Sequence, residues 1–61
     1  MTVKEIRKAV KEALMAQGGK FYGYNFNNLC ALGATGTQVQ NAVSYFKFSP
    51  QQESFRKQYM A

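Results

Sequence analysis

Between positions 37 and 47 the chain sets Thr37, Gln40, Asn41, Ser44 and Lys47 three or four residues apart, a spacing that gathers them on one side of a helix. Hydroxyl and carboxamide groups both donate and accept hydrogen bonds. A row of them suits the edges of nucleobases, since Asn and Gln match adenine and Thr or Ser accept several partners. Acid–base and nucleophilic chemistry has no comparable foothold. The chain has no histidine and no aspartate, its glutamates Glu5, Glu12 and Glu53 are scattered, and its one thiol, Cys30, has no base to activate it. A lone cysteine without histidine also gives no metal-ligand constellation. No enzymatic activity, metal or cofactor is therefore expected.

A helix presenting those residues must start just ahead of them, and Thr35-x-x-Gln38 is a capping box at that place, flanked by Ala34 and Val39 as a hydrophobic staple. A helix over 36–48 would bury Val39, Ala42, Val43 and Phe46 on one stripe. It would turn Thr37, Asn41 and Ser44 outward, with Gln40 and Lys47 at the margins. Upstream, apolar Leu29 and Leu32 precede Gly33, a residue that readily ends a helix.

From Asn25 to Ser44 the chain resembles the helix-turn-helix superfamily of transcription regulators, through Leu29, Leu32-Gly33-Ala34, Thr35 and Val39 to Val43. This stretch is about a third of the chain and points to no particular family. Asn28 stands where such motifs usually carry an apolar residue, and the outward face holds no arginine. The resemblance implies double-stranded DNA as the partner, with the 36–48 helix in the major groove. Thr37, Gln40, Asn41 and Ser44 would read bases, while Lys20, Lys47, Arg56 and Lys57 hold phosphates. Such a protein regulates by occupying an operator.

The other elements must hold that helix in place. Thr2-x-x-Glu5 caps a first helix over 2–17, with Met1 and Ile6 as its staple, Val3, Ile6, Val10, Ala13 and Leu14 as its apolar side, and Gly18-Gly19 as its end. Lys4, Lys8 and Lys11 share its outer face, either as a solvated surface or as a phosphate stripe. A second helix is expected over 26–33, with Asn25 as N-cap, Tyr24 and Leu29 as staple, and Phe26, Leu29, Cys30 and Leu32 inward. Cys30 then acts as a small buried hydrophobe. A third box, Ser49-x-x-Gln52 with Pro50 at the first helical position, begins a last helix over 50–59 that carries Phe55 and Tyr59 on one face. Alternation from Tyr45 to Phe48 and from Ser54 to Met60 would also permit a winged hairpin, but the serine-proline start favours the helix. The expected fold is all-α, a small domain of three to four helices over residues 1–61 containing a helix-turn-helix.

Composition limits the partners. Eight Lys and Arg against three Glu give a net charge of +5, and residues 21–46 carry no charged side chain. The excess attracts polyanions. Chains of 61 residues bury only about 60% of their unfolded surface. With no disulfide or metal available, a homodimer is the expected supplement. No long apolar run marks a membrane span or signal peptide, so a soluble, cytoplasmic protein is expected. The run Lys20-Phe-Tyr-Gly-Tyr-Asn-Phe26 reads as core-closing rings, as a stacking platform for single strands, or as a protein-partner surface through Phe21, Tyr22 and Tyr24. That last option makes an adaptor or inhibitor the rival function.

Overall fold

Thr2 and Glu5 exchange hydrogen bonds across the first turn: the Glu5 N–H donates to the Thr2 hydroxyl at 3.1 Å, and the Thr2 N–H to the carboxylate at 2.8 Å. The Thr2 backbone bond, then the Thr2 side chain, hold the exposed Glu5 carboxyl below its ordinary value. From this cap, in a computed structural model describing residues 1–60, runs α1, Val3–Ala16. It is followed by α2, Gly23–Ala31, α3, Gly36–Phe48, a short 3-10 turn at Pro50–Gln52, and α4, Glu53–Tyr59. The protein is all-α, with four helices and no strand among the described residues. The radius of gyration, 10.8 Å, is close to the roughly 10.5 Å expected of a compact chain of this length.

Helix α3 packs most extensively on α1, and α2 and α4 lie against the pair. Ile6, Val10 and Leu14 from α1 meet Val39, Ala42 and Phe46 from α3, and Leu29, Ala34 and Phe55 complete the core. Val43 is half-buried at its edge. The α3 cap forms as its sequence requires, with Gln38 N–H on the Thr35 hydroxyl at 3.1 Å and Thr35 N–H on the Gln38 carboxamide at 2.9 Å. The turn before it closes by a Schellman arrangement, Ala34 N–H to Leu29 O and Gly33 N–H to Cys30 O. Gly33 takes φ +107°, which a side chain would strain.

Three local expectations are corrected. Helix α2 begins three residues early, at Gly23, and Asn25 sits one turn in, not at the N-cap. Its Oδ1 accepts from the Tyr22 N–H at 2.9 Å and from Gln17 Nε2 at 3.0 Å, so one side chain ties the first turn of α2 to the end of α1. The staple shifts accordingly to Phe21 and Phe26, both half-buried, leaving Tyr24 exposed. Leu32 lies outside the core at 68% exposure, because the chain has left the helix and is turning there. The Ser49 box does not form. Ser49 Oγ donates to Gln51 instead, and the Gln52 carboxamide reaches Tyr45 Oη at 3.1 Å. Pro50 therefore opens a 3-10 turn, with α4 beginning only at Glu53. The segment after residue 48 is helical and not a wing: it folds back, with Phe55 buried and its ring 5.2 Å from that of Phe46.

Candidate nucleic-acid interface

With Val39, Ala42 and Phe46 fixed inward, helical geometry leaves the opposite side of α3 to Thr37, Gln40, Asn41, Ser44 and Lys47, and all five are exposed. The side-chain hydrogen bonds near this end of α3 belong to Thr35 and Gln38. The hydroxyl and amide groups of the ridge stay available to an outside partner.

The ridge has two flanks. Gln40, Ser44 and Lys47 border an open groove of about 420 Å³ between α2 and α3, lined also by Phe21, Tyr22, Gly23, Phe26, Val43 and Phe48. Asn41 faces the other way, into a depression of about 160 Å³ against α1, beside Val3, Ile6, Arg7, Gln38 and Ala42. Thr37 borders neither. One helix thus presents all four residues, but its neighbours divide them.

The expected phosphate contacts fare unequally. Lys20 and Lys47 are exposed. Lys57 is exposed too, although its ammonium lies 3.2 Å from Glu53 one turn earlier. A surface pair of this kind contributes only about 0.3–0.5 kcal/mol and gives way readily to another anion. Arg56 has an internal task that its sequence position did not announce. Its Nη1 donates to the carbonyls of Phe46 at 3.0 Å and Ser49 at 2.7 Å, closing the end of α3 against α4.

Two features escaped sequence reasoning. Arg7 lies over the Tyr45 ring, 4.0 Å from its centroid, which brings a cation beside the Asn41 flank. Phe48, 76% exposed, continues the ridge one turn beyond Ser44. Helical spacing from Ser44 would have found Phe48, whereas Arg7 requires knowledge of how α1 and α3 cross. The aromatic run splits as well: Phe21 and Phe26 pack on the core, and Tyr22 and Tyr24 stay exposed. The two tyrosine rings stack 5.7 Å apart at 16°, and the Tyr24 hydroxyl donates to Gln17.

Comparison with protein-family models, with curated proteins and with solved structures found no match. Among the described residues no helix is long and apolar enough to cross a membrane. Nor do three metal-ligating side chains gather anywhere among them.

Proposed function

We propose that this chain is a small double-stranded DNA-binding protein, a cytoplasmic transcriptional regulator that acts by occupying its operator as a homodimer. The observation that carries the reading is the exposed ridge Thr37, Gln40, Asn41 and Ser44 on a capped, well-buried helix, uncharged along its length and ending at Lys47. In this mechanism α3 enters the major groove, the ridge tests base edges, and Lys20, Lys47 and Lys57 hold phosphates. Arg56 keeps α3 and α4 in register, leaving its other donors to reach the backbone.

Two substitutions separate base reading from charge. On a preferred duplex selected from a randomised pool, Asn41→Ala is expected to cost ~1–3 kcal/mol while barely changing affinity for random DNA. Lys47→Ala, which removes one contact from each chain of the dimer, is expected to weaken all duplexes and to reduce the salt slope by about 1.8. Fluorescence anisotropy across a salt series measures both, and the same titration should saturate at two chains per selected duplex. If neither variant alters duplex binding, base reading by α3 is refuted.

One observation favours a second reading, a protein-interaction module. Tyr22, Tyr24, Leu32 and Phe48 are exposed in a region whose only charge is Lys47, and depletion of charge with retention of aromatic rings is the composition of interface cores. Binding of a cellular protein that competes with no duplex would favour it.

A further inference from the structure

The groove between α2 and α3 combines three features, the first two of which the ridge reading leaves unused. Its wall is aromatic: Phe21, Phe26 and Val43 are half-buried there, and Tyr22 and the strongly exposed Phe48 stand at its edges. One ring is already fixed, because Tyr24 is tied to Gln17 through its hydroxyl and Tyr22 stacks on Tyr24. Tyr22 therefore keeps one ring face for an incoming group at little further cost in side-chain freedom. The third feature is charge. Lys47 lines the groove, Lys20 immediately precedes Phe21, and no carboxylate lies among the lining residues. The three glutamates are at positions 5, 12 and 53. A second copy packed groove to groove would set one uncharged, lysine-edged surface against another with no acid between them, so charge complementarity calls for an anionic occupant.

We infer that the groove between α2 and α3 is a binding site for single-stranded nucleic acid, which seats an unstacked base against Tyr22 and Phe48 while Lys47 and Lys20 hold the flanking phosphates. Flat rings that leave a face open, alternating with cations, suit this ligand because every base has a π-face and every nucleotide a charge. Gln40 and Ser44, on the α3 side of the groove, supply hydrogen bonds to a base edge without imposing one base. The groove and the duplex-reading ridge share Gln40, Ser44 and Lys47, but Phe48 and Tyr22 belong to the groove, and Asn41 lies outside it. The inference stands apart from the duplex reading and can survive its failure.

The test is fluorescence anisotropy with a labelled oligothymidine of about twelve nucleotides, within the range of known single-strand sites. The same strand annealed to its complement and a glutamate-rich peptide containing phenylalanine serve as the other two probes. The intact protein should bind the oligothymidine, and Phe48→Ala and Tyr22→Ala should each weaken it by roughly ten-fold or more, the effect of losing a base–aromatic stack. Both replaced side chains are exposed, so circular dichroism of each variant should match the parent. Asn41→Ala should leave oligothymidine binding intact, whatever it does to the duplex. Oligothymidine binding that neither aromatic substitution changes, or no oligothymidine binding at low salt, overturns the inference. So does tighter binding of the acidic peptide than of the oligothymidine, which would make the groove a protein site.

Discussion

Phe46→Ala is expected to destabilise the protein by ~3–5 kcal/mol, the range for removing a buried phenylalanine ring. Phe46 is buried, its ring meets Tyr45 edge-on at 5.3 Å and Phe55 at 5.2 Å, and its carbonyl accepts from Arg56. Truncation would open a cavity in the core where α3 meets α4. At the usual 0.05–0.15 kcal/mol per residue a chain of this length has only about 3–9 kcal/mol to lose. The loss is therefore at least about a third of the whole, and the midpoint of the urea melt should fall by at least that fraction. Urea melts followed by circular dichroism measure this, with Phe48→Ala as the matched control. That ring is exposed, and its loss should change stability by no more than about 0.5 kcal/mol. A Phe46 variant that melts within about 1 kcal/mol of the parent would show that the helices are not joined through this ring.

The second large effect belongs to Arg56. Arg56→Ala should cost about 2–3 kcal/mol of stability, because it removes two hydrogen bonds from a charged donor and leaves the Phe46 and Ser49 carbonyls without that partner. The estimate is below the sum of two such bonds, since Arg56 is half-exposed and water replaces part of what is lost. Arg56→Lys should recover part of the loss. Both carbonyls are met by the single nitrogen Nη1, and an ammonium also carries several donors on one atom, on a shorter and more flexible stem. Lys57→Ala, its neighbour in sequence, should stay within about 0.5 kcal/mol, since only a solvent-exposed pair to Glu53 is lost. Equal and small effects at positions 56 and 57 would mean that the last helix is held by its apolar contacts, Phe55 with Tyr59, and not by Arg56.

The contrast between these neighbours illustrates what could be read from the chain. The starts of α1 and α3 were legible because Thr2 with Glu5 and Thr35 with Gln38 form self-contained boxes, each partner three residues from the other. Val39, Ala42 and Phe46 were legible through their period, and the exposed ridge followed as the reverse of the same helix. Helix α2 was misplaced because Tyr22 is not a usual capping residue, and Asn25, which accepts from the Tyr22 N–H one turn in, is held also by Gln17 at the end of α1, eight positions away. The Ser49 box failed because Pro50 begins a tighter 3-10 turn, in which Gln52 reaches Tyr45 and not its own cap. Arg56 was grouped with the free cations since nothing local tells an arginine on a surface from one folded back on a helix end. The same limit hid the groove, whose two walls come from helices whose relative placement no periodicity encodes.

The most direct test of the proposed function is the affinity for a mixed-sequence duplex measured across a salt series. With Lys20, Lys47 and Lys57 of both chains of the dimer as the phosphate contacts, the logarithm of the association constant should fall against the logarithm of salt concentration with a slope of about −5.4. Selection from randomised duplexes under the same conditions should enrich one sequence that the Asn41→Ala variant no longer prefers. A duplex that is not bound even at low salt, or one bound with that slope but with no sequence enriched, would contradict the reading of α3 as a base-reading helix.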